Sequence, residues 1–182
     1  MDFPPGSGGF LNPKKVLDSL EIRPTSVVAD FGCGHGYFTI PLAKAVGSEG
    51  QVFAVDLRKD CLEEVKERAV SEGLGNIETI RGNLEVPGGS KTPDDSCDVV
   101  FLANILFQNQ KKQEIIVEAR RVLKPGGKMI IIDWEPTLSH LAGSGWRISP
   151  EEIQRMASEQ RFSFERTFDA GEYHYGMIFK KF

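Results

Sequence analysis

The sequence predicts an α/β fold: a mostly parallel, seven-stranded sheet with helices on both faces and a C-terminal antiparallel hairpin. Three observations lead there. Short apolar runs alternate with amphipathic stretches from Val27 to Asp133, the pattern of parallel strands covered on both sides. A glycine-rich turn sits directly after the first run. Near the C-terminus two strand-like segments are joined by only Asp169-Ala170-Gly171-Glu172, too short for a crossover helix and right for a hairpin.

The elements follow in order. Asn12 can cap a first helix, with Pro13 at its first position and Val16, Leu17 and Leu20 on one face. Val27 to Phe31 is a buried strand, Gly32 to Gly36 the turn, and Tyr37 to about Val46 a helix whose early Pro41 is tolerated. Gln51 to Val55 is the second strand, closed by Asp56. Asp60 to about Gly73 is a helix with Leu62, Val65, Ala69 and Val70 as its apolar face. Asn76 to Arg81 is the third strand, and Glu85 to Ser96 a polar loop. Asp98 to Ala103 is the fourth strand, and Gln110 to Leu123 a helix with Ile115, Ile116, Ala119 and Val122 inward. Lys124-Pro125-Gly126-Gly127 is expected to end that helix sharply before the strand Lys128 to Asp133. Ser149-Pro150-Glu151-Glu152 opens a capped helix, and Phe162 to Phe168 with Tyr173 to Phe179 form the hairpin.

At 182 residues, residues 12–182 are expected to form one domain, preceded by a flexible Pro- and Gly-rich segment over residues 1–11. That segment has no apolar core of the secretory type, and no run reaches the roughly 20 apolar residues of a membrane span. A cytoplasmic protein without a membrane span is therefore expected. A net charge of −4 disfavours nucleic acid as partner; Lys111-Lys112 and Arg120-Arg121 read as solvated helix faces. Cys33, Cys61 and Cys97 are scattered, as are His35, His140 and His174, so no disulfide framework or metal-ligand spacing emerges. Oligomeric state is left open.

The chemistry concentrates in Asp30-Phe31-Gly32-Cys33-Gly34-His35-Gly36. Between a strand and a helix, such a loop lets a ligand lie against bare backbone. The spacing is Gly-x-Gly-x-Gly, not the Gly-x-Gly-x-x-Gly of dinucleotide sites. Asp30 precedes it, and a carboxylate repels a pyrophosphate but attracts an ammonium. Asp56, twenty residues past Gly36, can accept two ribose hydroxyls.

These residues carry a resemblance. Val27 to Gly36 resembles motif I of the class I S-adenosylmethionine-dependent methyltransferases, and Asp56 resembles the acid of motif II. Gly82-Asn83-Leu84 resembles the adenine-binding turn, and Leu123 to Lys128 the family's entry to strand five. The order and spacing of the four agree from Asn12 to the C-terminus. The nearest likeness is to small methyltransferase-domain enzymes related to quinone-biosynthesis C-methyltransferases and arsenite methyltransferases. The resemblance implies a Rossmann-like fold and S-adenosylmethionine as cofactor. It also implies residue roles: Asp30 facing the methionine ammonium, with Gly32, Gly34 and Gly36 shaping the loop. Asp56 takes the ribose, and Leu57 lies against adenine. Asn83 and the Leu84 backbone meet the adenine edge, and the Asn104 carbonyl lies near the methionine part. The family usually has Asp where this chain has Asn83, which loses charge assistance.

The activated methyl needs chiefly alignment, so no catalytic residue is named. A small-molecule acceptor is expected. Its contacts are expected from residues 1–11, Ile105 to Asn109 and the Trp134 to Arg147 stretch, where Trp134, Glu135, His140, Trp146 and Arg147 cluster. His35 is expected to be structural. Arsenite chemistry needs converging thiolates, and Cys97 is expected at the opposite end of the sheet. The competing functions are a non-catalytic cofactor-binding module and a nicotinamide-dependent oxidoreductase.

Overall fold

The structure is a computed structural model that describes residues 11–136 and 147–182. Its elements run α1 (Pro13–Ser19), β1 (Val27–Phe31), α2 (Thr39–Val46), β2 (Gln51–Asp56), α3 (Lys59–Ser71), β3 (Ile77–Arg81), β4 (Cys97–Ala103), α4 (Lys112–Val122), β5 (Leu123–Trp134), α5 (Pro150–Glu159), β6 (Phe162–Asp169) and β7 (His174–Lys181). The seven strands lie in the order β3-β2-β1-β4-β5-β7-β6. The first five pair in parallel, and β7 inserts antiparallel between β5 and β6. The expected sheet, helices and hairpin are all present.

Strand alternation sorts the core into two layers. Ala29, Phe31, Val100, Leu102, Met129, Ile131, Tyr175 and Met177 pack with Ile115, Ile116 and Ala119 of α4 and Ile153 of α5. On the other face Val28, Phe101, Ile130, Ile132 and Ile178 meet Val16 and Leu17 of α1 and Leu42 and Val46 of α2. Strand order reverses between β1 and β4: β2 and β3 are added on one side of β1, and β4 onward on the other. The carboxyl ends flanking that point form the ligand crevice of open α/β sheets.

Capping follows the sequence. Asn12 Oδ1 accepts from the Lys15 N–H, and Ser149 Oγ from the Glu152 N–H. Three expectations need correction. The first concerns Lys124-Pro125-Gly126-Gly127, which is not a break between helix and strand but a bulge inside β5. Leu123 already pairs with Cys97 and Lys128 with Val99, so five steps on β5 match two on β4. Gly126 takes φ 79°, and a Cβ on Gly127 would stand 2.9 Å from the Lys124 carbonyl oxygen. Such backbone crowding admits glycine alone.

The second is the helix after the glycine turn. It begins at Thr39, not Tyr37, because the turn that starts in the glycine loop runs on through Tyr37 to Phe38, which is the N-cap. Tyr37 instead donates its hydroxyl to the carbonyl of Leu11, which is buried. The third is Val70, 80% exposed, with Cys61 buried in its stead. At about 100° per residue, Cys61, Leu62, Val65 and Ala69 share one stripe while Val70 points opposite. Among the described residues no helix is long and apolar enough to cross a membrane.

Candidate functional site

The site grows from the carboxyl ends of β1 and β2. Asp30, next to last in β1, is 2% exposed. Its Oδ2 accepts from Thr39 Oγ1 at 2.6 Å. Burial pushes its carboxyl up to about 7, and the negative Asp56 adds to this against the Thr39 hydrogen bond.

The first three residues of the glycine loop are tied to β2. Gly32 and Cys33 N–H both donate to the Val55 carbonyl, at 2.8 and 3.1 Å. Gly34 N–H donates to Asp56 Oδ2 at 2.9 Å, while Arg58 N–H holds Asp56 Oδ1 at 2.9 Å. The Asp56 carboxylate is thereby aimed along the loop, with lone pairs left for further donors.

Gly32, Gly34 and Gly36 have φ of 73°, 51° and 80°, a region that other residues adopt at a cost. Their surroundings differ. A Cβ on Gly32 would stand 2.5 Å from Ile105 Cδ1, and one on Gly36 3.0 Å from Val65 Cγ2. One on Gly34 would meet nothing within 4 Å. The outer glycines permit packing; the middle one borders open space.

Past Asp56, which takes the Gly34 N–H, lies a cleft of about 120 Å³ lined by Gly32, Asp56, Leu57, Asn83, Leu84 and Ile105, among others. Leu57 is 59% exposed, an apolar side chain left bare at the rim. Leu84 buries its side chain in the core and offers only backbone. Asn83 is exposed, and its Oδ1 accepts from the Glu85 N–H at 3.0 Å. The amide oxygen thus shapes its own turn. Asn104 sits at φ 55° directly after β4. Its carbonyl accepts from Gln108 Nε2, while its buried Oδ1 has no partner among the described residues. Buried polar atoms are normally paired, so this orphan is a candidate acceptor for a ligand.

The structure therefore brings Gly32, Asp56, Leu57, Asn83 and Leu84 together at one cleft, with Gly34 joined to it through Asp56. Asp30 lies buried at the end of β1, Gly36 faces α3, and Asn104 adjoins through Ile105. The larger cavity, about 520 Å³, opens at the amino ends of the strands around Arg23, Lys124 and Glu165 and holds none of these residues.

Two supporting residues escaped sequence reasoning. Asp133 near the end of β5 is 1% exposed and accepts from Phe107 and Trp134 N–H at 3.0 and 2.8 Å, pinning the segment after β4 to β5. Burial raises it to about 6 despite those bonds. An acid closing an apolar strand, as Asp56 does, was the available signal. Glu118 on α4 is also buried and accepts from Gly88 and Ser90 N–H, bracing the loop beyond Asn83. Burial works against its charge, yet the bonds from Arg121, Ser90 and Gly88 hold it near 2. No pattern in the helix marks it.

His35 is exposed and 2.6 Å from Glu64, and Arg68 donates to its carbonyl, so it clamps the loop to α3 as a structural residue would. Of the expected acceptor segments, residues 1–10 and 137–146, including His140 and Trp146, lie outside the described residues. Arg147 Nη1 donates to the Glu135 carbonyl at 2.8 Å. Cys97 begins β4, at the end of the sheet away from the loop.

Known proteins share the sequence pattern and the fold. The family model described as a methyltransferase domain matches residues 22–175. A ubiquinone/menaquinone biosynthesis C-methyltransferase from Marinomonas sp. is 29% identical over 74% of this chain and 54% of its own length. A demethylmenaquinone methyltransferase from Bacillus mycoides is 32% identical over 69% of this chain and 52% of its own. The chain thus spans about half the length of these relatives. A crystal structure of a SAM-dependent methyltransferase from Aquifex aeolicus superposes with a TM-score of 0.83 at 25% identity, covering 95% of this chain and 91% of that one. With the motif order, the seven-stranded sheet and a family match over most of its length, the chain belongs to the class I S-adenosylmethionine-dependent methyltransferases.

Proposed function

We propose that the cleft between the glycine loop, Leu57 and Asn83 holds the cofactor, and that the chain methylates a small-molecule acceptor. One observation carries the reading: the middle glycine borders open space while its N–H is bound to the carboxylate that ends β2. Asp56 then accepts the ribose hydroxyls, Leu57 covers the adenine face, and Asn83 with the Leu84 backbone meets the adenine edge. Gly32, Gly34 and Gly36 shape the loop, Asp30 balances the methionine ammonium, and Asn104 meets the methionine part. S-adenosylmethionine, when bound, supplies a methyl group already activated on sulfonium sulfur. The protein's task is to hold and align the acceptor over the carboxyl ends of β4 and β5. The names of the two sequence relatives support a small ring acceptor methylated at carbon, and the net charge of −4 disfavours nucleic acid.

Calorimetry should show binding of S-adenosylmethionine and S-adenosylhomocysteine and none of NAD. Labelled S-adenosylmethionine with fractionated extract should place the label in the low-molecular-weight fraction. Label recovered only in protein or RNA would overturn the acceptor class.

Asp56→Ala removes the charged acceptor for the ribose and leaves the Gly34 and Arg58 N–H groups unpaired. Cofactor affinity should fall by about 1.5–3 kcal/mol, roughly ten- to 150-fold. Unchanged calorimetric affinity would remove Asp56 from the ribose site.

Asn83→Asp tests the adenine edge. A carboxylate keeps the bond from the Glu85 N–H and has acceptor capacity left for the adenine amino group. Binding should tighten by at most about 1–2 kcal/mol, and only for ligands carrying that amino group. An equal gain for an analogue lacking it would mean a general attraction for the cationic cofactor.

A further inference from the structure

The rim beside the cleft carries a row of rings that the cofactor reading leaves unused. Trp134, last in β5, and His174, first in β7, are direct cross-strand partners. Their ring centroids are 4.2 Å apart, with planes tilted by 37°. Phe107 meets Trp134 edge-on at 6.4 Å. Phe107 stands two residues beyond Ile105, a cleft-lining residue, and its N–H is fixed by Asp133. The row therefore stands at the same end of the sheet as the cofactor cleft, on the segment after β4 and the adjoining ends of β5 and β7. On the far side Phe168 lies where a Cβ on Gly176 would be, two residues along β7 from His174.

His174 is the anomaly in this row. It is 5% exposed, and neither ring nitrogen has a hydrogen-bond partner among the described residues. Buried imidazoles are ordinarily paired, because an unmet donor or acceptor loses its hydration for nothing. A phenylalanine would pack against Trp134 without that penalty. Trp134 and Phe107 are themselves only half-buried, so the rings keep a face to offer. Burial also holds the imidazole down to about 4, hence neutral, with one nitrogen accepting and the other donating.

We propose that Trp134 and His174 form the acceptor's binding surface: a flat conjugated ring lies against Trp134 while its hydroxyl hydrogen-bonds His174. This rests on the methyltransferase reading of the adjoining cleft. A neutral imidazole in an apolar setting matches a phenol-type hydroxyl, which also donates and accepts without charge. Carboxylate or phosphate ligands are poorly served there, since their charge is stranded.

The probes are 2-naphthol and naphthalene, measured by equilibrium dialysis against protein saturated with S-adenosylhomocysteine. The wild type should bind 2-naphthol about tenfold more tightly than naphthalene. His174→Phe should erase that preference, leave naphthalene binding as strong or stronger, and raise Tm by about 2–4 °C. Should that variant not fold, His174→Leu is measured the same way. A wild type without preference for 2-naphthol overturns the proposal, as does a variant that keeps it. The affinity for S-adenosylhomocysteine, read in the same samples, separates the two levels. Intact cofactor binding with no naphthol preference sinks only the acceptor surface. A wild type that fails to bind S-adenosylhomocysteine removes the cofactor site and this proposal together.

Discussion

Gly34→Val is expected to abolish cofactor binding in a protein that still folds. Both halves follow from the surroundings of one atom. A Cβ at Gly34 meets nothing within 4 Å, so no packed neighbour must move. The φ of 51° penalises a β-branched residue, by about 1–3 kcal/mol. That lowers Tm by several degrees without unfolding a domain of ordinary stability. The isopropyl group, however, projects into the open space beside the loop, where the proposed ligand approaches bare backbone. Affinity should fall about a thousandfold or more, beyond the range of direct calorimetry. Circular dichroism and a single cooperative melt should show the domain intact. A variant that binds S-adenosylhomocysteine like the wild type would reduce the loop to a tight turn. Gly32→Ala is the contrast: its Cβ would stand 2.5 Å from Ile105 Cδ1, so its loss should appear in stability as well as binding.

The same contrast shows what the sequence could convey. Three glycines at alternate positions mark a loop that needs left-handed backbone, and all three adopt it. Which of them borders the ligand depends on Ile105 and Val65, which arrive from elements distant in the chain. Periodicity placed the strands because each buries an apolar run, and it misplaced Val70 because an apolar residue at a helix end joins any loosely drawn stripe. The Lys124 to Gly127 bulge was legible only as punctuation. Glycine and proline announce a break in regular geometry, but whether the chain turns or bulges is decided by the strand alongside. Glu118 and His174 were hidden for a related reason. Their significance lies in bonds made across 28 and 30 residues, or left unmade. No local pattern encodes that.

Asp30→Asn should weaken cofactor binding and stabilise the empty protein, and pH separates the causes. In the folded chain the carboxyl is raised from 3.8 to about 7, chiefly by burial. An acid raised on folding is more easily ionised in the unfolded chain. Below pH 4 both states hold the proton and nothing is lost. Between 4 and 7 the unfolded state ionises first, so stability declines as pH rises; above 7 the penalty is complete. An asparagine still accepts from Thr39 but never ionises, so at pH 8 the variant should be more stable by about 2–4 kcal/mol, with little difference at pH 4. Binding runs the other way. If Asp30 balances the methionine ammonium, the wild type must ionise it to bind. Affinity for S-adenosylhomocysteine should climb by up to about tenfold per pH unit from 5 towards 7, then level off. Asp30→Asn should flatten this slope and cost about 3–5 kcal/mol of binding at pH 8, as expected for removing one partner of a buried charge pair. Chemical denaturation of the empty protein and calorimetric titration with S-adenosylhomocysteine, each at pH 5, 7 and 8, measure the two effects independently. A variant stabilised at pH 8 with binding and slope unchanged would make Asp30 a buried acid with no ligand to meet. Weaker binding with no gain in stability would mean that the carboxyl is already ionised in the empty fold.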